Sequence, residues 1–418
     1  MDSKPSCRIV IVDDEPKKSQ RLQAGLQGLR VPGMDVRAPS NSEIETQLDA
    51  LYARREALDT GKGLSGIPSM LDETDVLIAD FDLRDLKDHR GFATGEEIAY
   101  SARLFSKVKI VVVVNHPNIG LHNFDLTLQR DRDFRGDVYV GSEQCLNPGL
   151  WVTDAGHEGF LPWSWIPLIE EVRSFEHCAS QVTQNVNVGT LQFFGLDKAD
   201  TRPSPQMLAY LGIKRDEDVL IKDLLRQPSA TYVRRRDLDP LSSDNERYSQ
   251  VATALLRKWF RRWIMPPQTL LADLPHLGMA LPWGLSDYKD RELWNRLAHC
   301  GRSSEACDVA TLVQAPIAQQ LFQRIEWCGR PTFFLARARA ATEAAGTFLP
   351  AFKPSEVPKI AFAEDLSRFV EADQAVEYSL TLDGETQLRT VSDGKRVKIE
   401  GDTYGLEKIV YSPESLIL

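Results

Sequence analysis

The chain has 418 residues, 42% hydrophobic and 26% charged, which excludes an intrinsically disordered protein and leaves room for two or three cored domains. Its net charge of −10 and pI near 5.4 argue against non-specific nucleic-acid binding by the surface as a whole. No apolar run approaches the roughly 18 residues of a membrane span, and residues 1–5 lack the basic-then-apolar form of a signal peptide, so a cytoplasmic protein is expected.

In chain order, the first element is an apolar run over residues 7–12 that stops at Asp13, Asp14 and Glu15. Such a run predicts a buried strand with carboxylates at its C-terminal end. Residues 17–30 read as a helix with Leu22, Leu26 and Leu29 along one side, and residues 34–38 as a second strand. A strong helical stripe follows at 42–58, carried by Ile44, Leu48, Leu51 and Leu58. After a Gly- and Ser-rich loop at 61–69, a second apolar run at 75–80 also ends in acids, Asp80-Phe81-Asp82. Residues 84–94 form a long loop, and Gly95-Glu96-Glu97-Ile98 opens the next helix. Buried runs at 109–114 and 137–140 complete the series, followed by Asn115-His116 and by Gly141-Ser142-Glu143 respectively. Strands alternating with helices predict an α/β fold, a doubly wound parallel five-stranded sheet with right-handed crossovers.

In an open parallel sheet, ligands bind beyond the carboxyl ends of the strands. Asp13, Asp14 and Asp80, with Asp82 two residues on, are therefore expected in one pocket. Clustered carboxylates repel one another and usually hold a hard cation such as Mg²⁺.

The texture changes over residues 146–167, where Trp151, Trp163 and Trp165 sit among Pro and Gly. This predicts a domain boundary packed by aromatic contact, with ligand stacking as the alternative. Helices are expected at 166–182, 220–225, 248–264, 316–327 and 333–345. In the clearest, 248–264, Val251, Leu255, Leu256, Trp259, Phe260 and Trp263 recur at helical spacing, while Arg257, Lys258, Arg261 and Arg262 fall on the other side. Four strands at 376–382, 387–391, 396–399 and 407–411, with Asp383-Gly384 and Asp393-Gly394 as turns, predict an antiparallel meander. The expected divisions are 1–150 (the parallel sheet), 151–350 (a mainly helical domain) and 351–418 (a small C-terminal β element). The six Cys form no C-x-x-C pair and read as reduced, buried thiols. A zinc site from His299, Cys300, Cys307 and Asp308 fits no common ligand spacing.

Residues 5–150 resemble the receiver domain of bacterial two-component response regulators. The likeness is carried by Asp13 and Asp14 after strand one, Asp80 ending strand three, Gly95-Glu96-Glu97-Ile98 after it, and the ordered fourth strand. The resemblance implies that Asp80 is a phosphoacceptor. It implies Mg²⁺ on Asp13, Asp14 and Asp80 with help from the Asp82 backbone carbonyl, and a histidine kinase or phosphotransfer protein as partner. Two positions depart from the family. Asn115 and His116 replace the Ser or Thr and small residue expected as phosphate and switch positions after strand four. No Lys follows strand five, where the family uses one to neutralise the phosphoryl charge.

The departures leave a degenerate docking receiver as one alternative. A second is a Mg²⁺-dependent phosphohydrolase in which Asp80 attacks and Asp82 is the general acid, although Arg84 stands where that class commonly has Thr or Val. Third, the basic side of helix 248–264, with Arg257, Lys258, Arg261 and Arg262, could grip nucleic-acid phosphates, dock the acidic first third, or be a solvated face. Neither G-x-x-x-x-G-K-[ST], G-x-S-x-G nor H-E-x-x-H occurs. The residues beyond 150 match no motif that names an output activity.

Overall fold

The apolar runs become a five-stranded, all-parallel sheet made of β1 (Cys7–Val12), β2 (Met34–Arg37), β3 (Val76–Asp80), β4 (Ile110–Asn115) and β5 (Val138–Gly141), in the order β2-β1-β3-β4-β5. In the computed structural model the described residues are 7–60, 66–83, 86, 94–115, 136–142, 144–152, 167–227, 233, 237–238, 241, 244–265, 267–281, 322–323, 327, 332–345, 360–364, 368–382 and 385–392. β3 is buried along its whole length, as expected of a Val- and Ile-rich strand covered on both faces. Helices α1 (Pro16–Gly28), α2 (Asn41–Asp59) and α3 (Gly95–Phe105) connect and cover the strands. Their starts are set locally. Pro16 opens α1, Ser40 and Glu43 form a capping box on α2, and Thr94 caps α3, whose first turn carries Glu96 and Glu97.

The strand order reverses between β1 and β3. That is the topological switch point of a doubly wound sheet, where a crevice opens at the carboxyl ends of the strands. The last residue of β3 is Asp80, and Asp13 directly follows β1.

Beyond β5, Trp151 is buried and its indole N–H donates to the Cys145 carbonyl at 2.7 Å, so this part of the expected boundary is packed. Trp163 and Trp165 lie outside the described residues. Helices α4 (Leu168–Gln184), α5 (Thr190–Phe194), α6 (Pro205–Leu211) and α7 (Asn245–Trp259) follow, with a 3₁₀ turn at Ile221–Arg226 and a π-helical turn at Phe260–Ile264 continuing α7. A three-stranded antiparallel sheet, not anticipated from the sequence, comes next. It contains β6 (Leu271–Asp273), β7 (Phe322–Gln323) and β8 (Thr332–Phe334), with α8 (Leu274–Ala280) and α9 (Leu335–Ala345) attached. Phe333 and Phe334, read as helical from their spacing, are strand residues because β8 pairs with both β6 and β7. The hairpin of β9 (Ile360–Ala363) with β10 (Arg368–Glu371) was also unread. β11 (Ala375–Leu382) and β12 (Glu385–Ser392) form the expected antiparallel pair, while the predicted strands at 396–399 and 407–411 lie outside the described residues. Among the described residues, no helix is long and apolar enough to cross a membrane. Cys7, Cys145 and Cys178 are buried thiols in no disulfide, and the remaining Cys and the His299–Cys300–Cys307–Asp308 group lie outside the described residues.

One apolar core runs from the sheet into the helices, from Ile9 and Val112 through Phe175 and Leu208 to Trp259. Polar side chains fasten the two parts. The Tyr100 hydroxyl of α3 donates to Asp237 at 2.9 Å, and Arg55 of α2 reaches the same carboxylate at 2.7 Å. Arg247 of α7 donates to the carbonyls of Leu104, at 2.9 Å, and Arg103 at the end of α3. Lys258 of α7 donates to the Gly136 carbonyl, just before β5, at 2.6 Å.

Every residue of α7 from Val251 onward is buried, and this corrects the basic-face reading of the helix. Arg257 and Lys258 are only 6% and 1% exposed. Arg257 is paired with Glu171 of α4, so neither residue presents its charge to a solvent-side phosphate backbone. Arg261 is half-buried and points to the same Glu171 at 3.4 Å, and the side chain of Arg262 lies outside the described residues. A helical wheel has two sides, but α7 has neighbours on both.

Candidate functional site

Asp13, Asp14 and Asp80 converge. One carboxylate oxygen from each lies within 4.8 Å of the others, and all three residues are buried, at 6%, 7% and 5% exposure. The backbone explains the convergence. β1 and β3 are adjacent and in register, Val12 opposite Ala79, so the residues that follow project from the same edge of the sheet. The chain then turns sharply, with the Glu15 N–H donating to Asp13 Oδ1 at 2.8 Å. From α2, Asn41 Nδ2 donates to the Asp14 carbonyl at 3.1 Å and holds that turn against the second crossover.

Gly95 brings α3 up to β3. Its N–H donates to the Phe81 carbonyl at 2.9 Å, and the preceding Thr94 bridges to Asp82. A Cβ at Gly95 would stand 2.0 Å from the Asp80 carbonyl oxygen, so only glycine fits this approach. Asp82 itself is exposed at that bridge, and its carboxylate is not one of the three clustered groups. Asn115 ends β4 opposite Gly141 of β5, and His116 lies outside the described residues.

Three oxygen donors at this spacing could hold a metal ion, because a cation relieves the repulsion of carboxylates crowded out of water. The electrostatics reflect that crowding. Burial, then the nearby Asp13 charge, pushes the Asp80 carboxyl from 3.8 up to about 7, with Lys18 pulling in the opposite direction. Asp13 is also raised, by burial first, against the Glu15 hydrogen bond that favours its charged form.

A carboxyl whose folded pKa lies above its unfolded value contributes stability at low pH and loses it as pH rises through the folded pKa. For Asp80 that window runs from 3.8 to about 7. With divalent cations chelated, Asp80→Asn is therefore expected to melt a few degrees above the native chain at about pH 8, the gap closing below about pH 4. Excess divalent cation should stabilise the native chain and leave Asp80→Asn almost unmoved. Thermal unfolding across pH, with and without the cation, measures both effects.

Next to the acids is a cavity of about 180 Å³ between the sheet and α1. Its polar lining comprises Asp13, Asp80, Lys18, Arg21 and Ser142, set among Ile11, Val12, Leu22, Ile78, Val114 and Leu146. Ser142 lies just past β5, and neither it nor Gly141, the last residue of that strand, is the lysine the resemblance expects. Lys18 and Arg21 escaped the motif reading because no motif contains them. Their signal was present in the spacing, since Lys18 lies four residues before Leu22, which had been placed on the buried side of α1.

No family model matches this chain, and neither curated proteins nor solved structures yield a match.

Proposed function

We propose that this protein is a signalling phosphoacceptor. In this reading Asp80 takes a phosphoryl group from the phosphohistidine of a kinase or phosphotransfer partner, and the helical part of the chain reads the change. The observation that carries this is the trio of buried carboxylates at the switch point of a β2-β1-β3-β4-β5 sheet. It agrees with the receiver resemblance in residue type, order and position. Asp13, Asp14 and Asp80 would hold Mg²⁺, with the Asp82 carbonyl as a further ligand. Bound there, Mg²⁺ would offset the carboxylate repulsion and neutralise phosphoryl oxygens.

An Asp80 carboxylate oxygen attacks phosphorus in line with the leaving nitrogen. The P–O bond forms as the P–N bond breaks, and the imidazole leaves with the electron pair and takes a proton. Only ionised Asp80 is nucleophilic, and burial holds its carboxyl up to about 7. At limiting Mg²⁺, labelling by a small phosphodonor should therefore rise between about pH 6 and about pH 8.

The output route in this reading is α3. Its first residue, Gly95, abuts the Asp80 backbone, while Tyr100, Arg103 and Leu104 near its other end are gripped by Asp237 and Arg247. A shift of α3 at one end would thus be felt at the other, as switching by added charge requires.

The test is incubation with phosphoramidate and Mg²⁺, read by intact mass for wild type and Asp80→Asn. One added phosphate on the wild type alone supports the reading. Lack of an adduct, together with lack of Mg²⁺ binding by titration, would replace it with a docking domain that takes no phosphate, the reading that the missing strand-five lysine favours. Continuous release of phosphate from a phosphate ester, lost on Asp82→Asn, would instead indicate a phosphohydrolase. Against that stands the exposed Asp82 carboxylate, outside the acidic cluster. The burial of Arg257 and Lys258 weighs against the nucleic-acid alternative.

A further inference from the structure

Resting on the phosphoacceptor reading above, we infer that Lys18 and Arg21 of α1 supply the positive charge that meets the phosphoryl group on Asp80. That task belongs to a strand-five lysine in the family this chain resembles. Both cations line the same cavity as Asp80 and Asp13, on the α1 face that also carries Leu22. They are three residues apart, so one turn of helix presents both to the same space. Ser142, just past β5, also lines that cavity and brings no charge.

The two cations differ in their present engagement. Lys18 is ion-paired with the exposed Glu15, three residues earlier. Its ammonium is held charged by Glu15 first, then by Asp80 and Asp13. Arg21 is exposed and has no ion-pair partner among the described residues. Lys18 would exchange Glu15 for a phosphoryl oxygen, and Arg21 would offer its fork to a second. A cavity of about 180 Å³ has room for a phosphoryl group beside these side chains.

A charge role and a structural role predict opposite results for metal binding. Removing a cation near Asp13 and Asp80 should strengthen Mg²⁺ binding, because less positive charge opposes it. The same removal should slow phosphoryl transfer, because less positive charge meets the transition state. A merely structural lesion would weaken both.

The experiment compares Lys18→Met/Arg21→Met with wild type, with the charge-keeping swap Lys18→Arg/Arg21→Lys, and with Lys17→Met. Lys17 is exposed, does not line the cavity, and controls for loss of an α1 cation outside it. Labelling rate with phosphoramidate and Mg²⁺ is followed by intact mass, and Mg²⁺ affinity is titrated without the donor. The double Met variant should label at least about tenfold more slowly while binding Mg²⁺ at least as tightly as wild type. The swap should recover most of the rate, and Lys17→Met should change neither quantity. Wild-type labelling in the double Met variant would overturn the inference and leave the phosphoacceptor reading intact. So would a swap that fails to recover, or a double Met variant that loses Mg²⁺ binding along with labelling. An unlabelled wild type overturns the phosphoacceptor reading, and this inference falls with it.

Discussion

Gly95→Ala is expected to remove divalent-cation binding and to lower stability by about 1–3 kcal/mol or more. The methyl carbon would sit 2.0 Å from the Asp80 carbonyl oxygen, 2.8 Å from its carbon and 3.3 Å from the Ala79 carbonyl oxygen. All three are backbone atoms of a buried central strand, so no side chain can swing aside. Either the first turn of α3 lifts off β3 and breaks the hydrogen bond from the Gly95 N–H to the Phe81 carbonyl, or β3 moves and takes Asp80 with it. The loss is steric, because α3 itself would accept alanine readily. Gly28, at the end of α1, is the matched control, because a Cβ there meets nothing within 4 Å. Gly28→Ala should be neutral or slightly stabilising. Urea unfolding and Mg²⁺ titration on the two variants read the effect. Unchanged cation affinity in a stable Gly95→Ala protein would show that α3 does not press on Asp80.

The second large effect is expected at Glu171, in α4, which is buried and accepts from Arg257 Nε at 3.1 Å and from Arg261 Nη1 at 3.4 Å. Arg257 also reaches the Cys178 sulfur at 3.1 Å. Burial alone would raise the Glu171 carboxyl, but Arg257 and then Arg261 outweigh it and hold the group below the usual carboxylate range. Glu171→Ala leaves Arg257 desolvated beside a second guanidinium and should cost about 3–5 kcal/mol. Replacing both partners, Glu171→Leu with Arg257→Met, should cost much less, because the fully buried Arg257 charge goes with its counterpart and only the half-buried Arg261 loses a partner. With a depressed folded pKa, the Glu171 contribution is present above the unfolded value of 4.5 and is lost as pH falls through the folded one. Chemical denaturation of the single and double variants, at neutral pH and at about pH 3, checks sign and size. A single variant within about 1 kcal/mol of wild type would show that this cluster does not hold α4 to α7.

The acidic site was largely legible because its signals are local. An apolar strand that stops at carboxylates needs no partner to be recognised, and Val12-Asp13-Asp14 and Ala79-Asp80 both carry that signature. Helix α2 was equally plain, since its stripe and its Ser40–Glu43 capping box lie within one segment. The short strands β6 to β8 were not legible. Two or three residues carry no measurable period, and their strand state comes from pairing with residues far along the chain.

The basic side of α7 was readable as a pattern and misleading as a surface. Periodicity locates Arg257 and Lys258 opposite the apolar stripe, but the amino-acid order does not reveal that a second partner covers that side. Arg257 meets Glu171, 86 positions away, and Lys258 meets the Gly136 carbonyl, 122 positions away. Lys18 and Arg21 are the converse, two ordinary surface cations on a helix until the sheet closes a cavity in front of them. Strand period, helix stripe and strand-end acids are set by neighbours in the chain, so the α/β sheet and its three aspartates could be read from the residue order. Which cations are buried, and which face the acids, depends on packing between distant segments, and only the tertiary structure decided it.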